Sequence, residues 1–316
     1  MTSSRAPRIA VVGSNMVDLV TYVNRMPVRG ETIEAPRFEM GHGGKGANQA
    51  VAAAKLGASV MMVTAVGDDI FGEGTIRNLE RFGVDTTYVR RVQGLASGVA
   101  PIMVEPNGEN SILIVKGANA DLSAADVERA GEALKRCDLI LLQLEVPLET
   151  VYAAIDFGKR HGVRTVLNPA PAAPGLDLAH VRDVSYLVPN ETELAILTEM
   201  PTETEGNIEA AARSLLGQGM RAVIVTLGGR GALLATTDGI KRVAATRVEP
   251  VDTTGAGDAF VGSFARYHAG GLGLEQALAR AARYAADSVR RPGTQKAYAT
   301  EAEFEAFELS LATHGG

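Results

Sequence analysis

Short apolar runs separated by segments of helical period set the tightest limit on what this 316-residue chain can fold into. The runs cover residues 9–13, 60–66, 139–144, 165–168, 186–189, 222–227 and 232–235. Most are apolar throughout instead of alternating, which is the pattern of strands covered on both faces. Between them, a 3.6-residue periodicity predicts helices at 47–56, 124–136, 149–161, 208–218, 258–268, 274–290 and 301–311. Ser123 with Asp126, and Thr300 with Glu303, have the spacing of reciprocal helix-start pairs. Strand–helix alternation of this kind predicts an α/β fold, a mostly parallel sheet with helices on both sides. A chain of this length has room for a large core, in one domain or two.

Two stretches break the alternation. Residues 97–105 and 110–116 flank Pro106-Asn107-Gly108-Glu109, and Asn-Gly between alternating runs is a strong hairpin signal. Residues 18–38, with Pro27, Gly30 and Pro36, read as extended. Together they predict a small antiparallel sheet standing off the main body, either a lid over a site or a surface hairpin without a role.

A formal net charge of −6 argues against nucleic acid or an anionic membrane as the main partner. An anionic small ligand then needs local positive elements. The lone Cys137 allows no intrachain disulfide, which suits a reducing cytoplasm. Residues 1–8 carry no apolar core of signal-peptide length, and no apolar run approaches the roughly 20 residues of a membrane span. A cytoplasmic protein is the expectation.

Chemistry concentrates in Asp252-Thr253-Thr254-Gly255-Ala256-Gly257-Asp258, just ahead of a predicted helix. Gly255, Ala256 and Gly257 leave their N–H groups unscreened at a helix N-terminus, a site for phosphate. Asp258 opposes an anion there unless it acts on a neighbouring hydroxyl; an acceptor for a hydroxyl proton beside a phosphate cradle is the minimum for phosphoryl transfer. A second cluster, Gly41-His42-Gly43-Gly44-Lys45-Gly46-Ala47-Asn48-Gln49-Ala50, formally contains G-x-G-x-x-G. It follows a poor buried strand and lies outside the first strand–helix unit, which weakens a dinucleotide reading. Two readings stay open: a loop that holds a polar ligand through Lys45 and Asn48, or a glycine turn with Lys45 in solvent. Asn190-Glu191-Thr192-Glu193 has the spacing of a capping box, and Glu193 is also placed for Mg²⁺ through water. Thr226-Leu227-Gly228-Gly229-Arg230-Gly231 reads as a hairpin turn or a nucleotide loop. Gln143-Leu144-Glu145 and Asp18 end strands with polar side chains.

The segments Gly43–Ala50 and Asp252–Asp258 resemble the two signatures of the ribokinase family of sugar kinases, with Asn190–Glu193 and Thr226–Gly228 between them in the family's order. The likeness runs from about Ile9 to the C-terminal helix and lies nearest the deoxyribokinase/ribokinase branch. It implies one ribokinase-like domain over 1–316, a three-layer sandwich with a β-sheet lid from about 18–40 and 97–116, and pairing of lids into a homodimer. It implies ATP, Mg²⁺ and an activating K⁺. By position, Asp258 is the base toward the sugar's O5 hydroxyl, and Gly255, Ala256 and Gly257 form the anion hole. Met16, Asp18, Gly44, Lys45, Gly46, Ala47, Asn48 and Glu145 fall at the sugar. Asn190, Thr226, Leu227, Gly228, Gly229, Arg230, Gly231, Gly257 and Ala282 fall at the nucleotide, Ala282 where some relatives carry histidine. Glu193 falls near Mg²⁺; Asp252, Thr254, Ser288, Arg291, Gly293 and Ala297 fall at K⁺, Ala297 where some relatives carry serine.

Many ribokinases read Gly-Ser-x-Asn-x-Asp after the first strand, with the Asn at the sugar's 2-hydroxyl. Here the turn is Gly13-Ser14-Asn15-Met16-Val17-Asp18. A thioether does not replace an amide's hydrogen bonds, so Met16 favours 2-deoxy-D-ribose, alone or beside D-ribose. Alternatives are a strict D-ribose kinase, another sugar or nucleoside kinase of the family, and an inactive sugar-binding regulator.

Overall fold

The computed structural model describes residues 5–173 and 175–314; Met1–Ser4, part of the stretch read above for a leader, lie outside them. A nine-stranded sheet forms the centre. From one edge the order is Asp85–Val92, Ser59–Gly67, Arg8–Val12, Leu139–Leu142, Arg164–Leu167, Tyr186–Leu187, Ala222–Thr226, Ala232–Thr236 and Gly239–Val243. Neighbours are parallel as far as Ala222–Thr226, and the last two pairings are antiparallel.

The continuously apolar runs are explained by where alternate side chains go. Ile9, Val11, Leu139 and Leu141 enter one core with the helices Lys45–Lys55, Ala256–Ala269, Leu274–Ser288 and Glu301–His314. Ala10, Val12, Ile140 and Leu142 enter another, against Leu148–His161 and Glu205–Gly217. Both faces are therefore covered.

Expected helix starts form as reciprocal bonds. Ser123 and Asp126 make a capping box, and Thr300 N–H donates to Glu303 at 2.7 Å. The helix expected over 124–136 divides into Ala124–Arg129 and Gly131–Leu134. The helix Ile70–Arg81 and the edge strand Asp85–Val92 carry too many glycines and charges, respectively, to show an apolar pattern.

A four-stranded sheet stands apart, in the order Arg37–Gly43, Met16–Tyr22, Val99–Val104, Asn110–Ile112. Its outer pairings are antiparallel, and the central one, 16–22 with 99–104, is parallel. The Asn-Gly hairpin closes with Val104 opposite Asn110 and Glu105 N–H donating to the Glu109 carbonyl at 2.9 Å. The segment 37–40 makes a poor buried strand because it is not buried: Phe38 and Met40 are each 59% exposed.

Candidate active site

Strand Arg8–Val12 lies between strands reached by connections running in opposite directions, so the carboxyl end of this strand is a switch point of the sheet. Gly13-Ser14-Asn15 leave it there. Ser14 Oγ donates to Glu145, which also accepts from Lys45 N–H at 2.8 Å. Glu145 thus serves the N-terminus of helix Lys45–Lys55, whose N-cap Gly44 has no side chain to do so. The glycines of this loop are required by the chain itself. A Cβ on Gly43 would lie 2.4 Å from Asp18 Oδ2, one on Gly44 2.7 Å from the Asn15 and Met16 backbone, and one on Gly46 2.6 Å from the Ser14 carbonyl.

Burial, and then the charge of Glu145, push the Asp18 carboxyl up to about 6. Burial disfavours the Lys45 ammonium, but Asp258, Glu145 and Glu193 outweigh it and raise its pKa. Lys45 is thus coupled electrostatically to three carboxylates.

Asp258 sits in the first turn of helix Ala256–Ala269, which starts from Gly255 at φ 76°. It is 7% exposed. Its oxygens accept from Asn48 Nδ2 at 2.9 Å and Gln49 Nε2 at 3.0 Å. Those amides reach it because the two helices touch: a Cβ on Gly262 would meet the Gln49 carbonyl at 2.5 Å. Behind Gln49 stands Gln143, donating to its Oε1 at 2.6 Å, and behind Asn48 stands Gln295, donating to its Oδ1 at 3.0 Å.

Two hollows meet at this helix start. The larger, about 500 Å³, is lined mainly by apolar and small residues including Phe260, Ala282, Ala285, Ala286 and Val289, with Gly228, Gly229 and Gly231 at one side. The smaller, 220 Å³, holds Lys45, Asn190, Glu193 and Asp258. Thr226, Thr253, Ala256 and Gly257 line both. A Cβ on Gly257 would meet no described atom within 4 Å, so the space over this glycine belongs to the cleft and not to the chain.

Asn190 and Glu193 form the capping box, with Glu193 N–H donating to Asn190 Oδ1 at 2.8 Å. Glu193 is also 8% exposed within the polar hollow, and burial raises its pKa ahead of opposing contributions from Asn190 N–H and Lys45. The capping-box reading of this motif is borne out, and the cap leaves Glu193 lining the polar hollow.

Other expected residues divide. Leu227 is 3% exposed and packs into the core, and Arg230 pairs with Glu191. Gly231 is required by packing, since a Cβ would stand 2.0 Å from the Val243 carbonyl. Met16 is 3% exposed on the first strand of the small sheet. Asn15, one place earlier, turns its Nδ2 to Thr64 Oγ1 at 2.7 Å and the Ala65 carbonyl at 2.9 Å. Asp252 is the tie between two loops: it accepts from Thr254 N–H at 2.9 Å and Gly293 N–H at 2.8 Å. Burial works against its charge, and these bonds hold its pKa below the ordinary range. Arg291 Nε donates to the Ala297 carbonyl at 2.8 Å, and Ser288 Oγ bonds back to Ala285.

Gln49, Gln143, Asn168 and Gln295 were not among the expected site residues. Gln49 did carry a signal, a polar residue on the buried side of an alanine-rich helix. Gln295 carried none, because its partner Asn48 is 247 positions away.

A family model described as pfkB family carbohydrate kinase matches residues 6–301. A deoxyribokinase of Salmonella typhi is 57% identical over 96% of this chain and 99% of its own length. A ribokinase of Schizosaccharomyces pombe is 43% identical over 90% and 92%. A ribokinase of Arabidopsis thaliana, solved with ribose and ATP, superposes with a TM-score of 0.90 at 32% identity, covering 96% of this chain and 98% of that one. With the sheet, the glycine-rich helix start and the buried aspartate already in place, these likenesses leave one conclusion: the chain belongs to the pfkB family of carbohydrate kinases.

Proposed function

We propose that this kinase transfers the γ-phosphoryl group of ATP to the O5 hydroxyl of a pentose, accepting 2-deoxy-D-ribose well and D-ribose to a lesser degree. The observation that carries this is the position of Asp258, buried in the first turn of a helix where an apolar hollow of nucleoside size opens onto a small polar one. The residues fit a nucleotide: Gly257 leaves open space above the helix start, and Ala282, Ala285 and Val289 offer an apolar seat for a base.

Asp258 orients the hydroxyl and takes its proton as the O5–phosphorus bond forms and the bond to the leaving ADP oxygen breaks. The N–H groups at Gly255, Ala256 and Gly257 face the charge that develops on the phosphoryl oxygens. Lys45, which lines the same hollow, adds positive charge. Asn190, Thr226 and the 228–231 turn cradle the phosphates, while Glu193 holds Mg²⁺ through water; when bound, that ion neutralises the phosphate chain. Asp18 and Glu145 are the acceptors for sugar hydroxyls, beside Lys45 and Asn48. A potassium site at Asp252, Thr254, Ser288, Arg291, Gly293 and Ala297 fits the loop pairing made by Asp252, and a rise in turnover with K⁺ over Na⁺ checks it.

The choice of sugar rests on Met16. The Asn15 amide is committed to Thr64 and Ala65, so it does not stand in for the missing amide at position 16. Comparing kcat/KM for the two sugars tests the assignment, and a strong preference for D-ribose sinks it. Met16→Asn shifts the ratio toward D-ribose by about tenfold if this side chain is the determinant. Asp258→Asn loses about 10²–10⁴ in kcat while still binding sugar; unchanged turnover refutes the base.

The small sheet acts as a lid, and its outer face, with Phe38, Met40 and Leu113 at 59–62% exposed, pairs with the same face of a second copy. Light scattering on Phe38→Lys with Leu113→Lys reads this as loss of the dimer.

A further inference from the structure

Asp258 is held by a chain of amides that reaches it from helix Ile70–Arg81. Asn78 Nδ2, on helix Ile70–Arg81, donates to Gln295 Oε1 at 2.8 Å. That commits the other face of the Gln295 amide, so Nε2 donates to Asn48 Oδ1 at 3.0 Å. Asn48 is then left with its Nδ2 toward Asp258 Oδ2 at 2.9 Å. Gln295 and Asn48 are 5% and 7% exposed, so water does not substitute for a wrongly turned amide.

The segment around Gln295 touches the rest of the machinery as well. Gly293 N–H donates to Asp252, the Tyr298 hydroxyl donates to the Gly255 carbonyl at 3.0 Å, and Thr294 is the side chain that a Cβ on Gly255 would strike. One loop therefore braces the anion turn at its start and the carboxylate at its end.

We propose that Gln295 is a positioning residue: acting through Asn48, and itself set by Asn78, it fixes which face of the Asn48 amide meets Asp258. This rests on the assignment of Asp258 as base. A carboxylate facing an N–H is held in place as an acceptor; one facing a carbonyl oxygen is repelled and its charged form disfavoured. Lys45 and Glu193, the charged groups that couple to Asp258, and the buried Tyr298 phenol are outside the chain of amides.

Gln295→Glu is nearly isosteric but offers Asn48 only an acceptor, which turns the Asn48 amide over. Gln295→Met removes the bond without imposing the opposite direction. The expected result is a kcat loss of at least about tenfold for Gln295→Glu, with the acid limb of its kcat–pH profile displaced upward by about one unit. Gln295→Met loses less than about fivefold, with the acid limb in place. KM for ATP stays within about twofold in both. Asn78→Asp, which removes the donor at the far end, reproduces the direction of Gln295→Glu and replaces it if that variant does not fold. Equal losses in the Glu and Met variants, or an unmoved acid limb in Gln295→Glu, overturn the proposal. The base assignment fails separately, on Asp258→Asn keeping its turnover.

Discussion

The two glycine clusters of this kinase look alike as sequence and differ in what requires their glycines. In the loop at 43–46 the chain does: Gly43 gives room to Asp18, Gly44 to the Asn15–Met16 backbone, and Gly46 to Ser14. In the turn at 255–257 the requirement divides. Gly255 has φ 76° and lies under Thr294, whereas Gly257 has open space beside it. The first loop is a packing device that delivers Lys45 and Asn48 to the cleft. The second leaves a gap that opens on the cleft. Glycine composition does not distinguish the two, because an absent side chain serves equally a neighbouring backbone and a bound phosphate.

The sharpest way to break this comparison is Gly44→Ala. With φ 86° and backbone at 2.7 Å from the new methyl, it is expected to destabilise the fold by about 3 kcal/mol or more, read by denaturant unfolding. A mild effect would remove the packing account of that loop. Gly257→Ala should behave in the opposite way. It lies inside the first helical turn, so stability is unchanged or rises by up to about 1 kcal/mol, while kcat/KM for ATP falls about 10- to 100-fold. Retained activity would show that nothing approaches this glycine.

The smallest expected effect sharpens the link between the first loop and the sugar. The Asp18 carboxyl is pushed up to about 6 by burial and Glu145, and in the proposed reaction it accepts sugar hydroxyls as the anion. Sugar kcat/KM therefore falls as pH drops through about 6, and Asp18→Asn flattens that fall. The stability sign is opposite. The fold favours the protonated form, so this contribution is complete below the ordinary carboxylate range and is lost as pH rises through about 6. Asp18→Asn should raise the unfolding midpoint at pH 8 and change it little at pH 4.

Much of the scaffold was legible beforehand, since doubly covered strands must be apolar and amphipathic helices must be periodic; 9–13, 139–144 and 222–227 were visible for that reason. Helix Ile70–Arg81 was not, with Gly72 and Gly74 interrupting its pattern, although Asp69 caps it through Gly72 N–H. Edge strand Asp85–Val92 alternates with Thr and Arg, and one covered face leaves only half a signal. At the site, Asp258, Lys45 and Asn48 were legible because short local motifs carry them. Gln143 is visible in sequence only as a polar strand end, and Gln295 has no local pattern to mark it.

By itself the sequence determined the parallel sheet, the hairpin at Asn107-Gly108 and the helix start at 255–258 with its carboxylate, because each is written in neighbouring residues through periodicity, turn chemistry or helix capping. Only the tertiary structure decided that Asn15 is spent on Thr64, that the glycines of 43–46 serve the chain, and that Asp258 is held through Asn48 from Gln295 and Asn78. Those are contacts between residues far apart in sequence. Their energies depend on burial and amide direction, which exist only once the two helices and the C-terminal loop have closed around the aspartate.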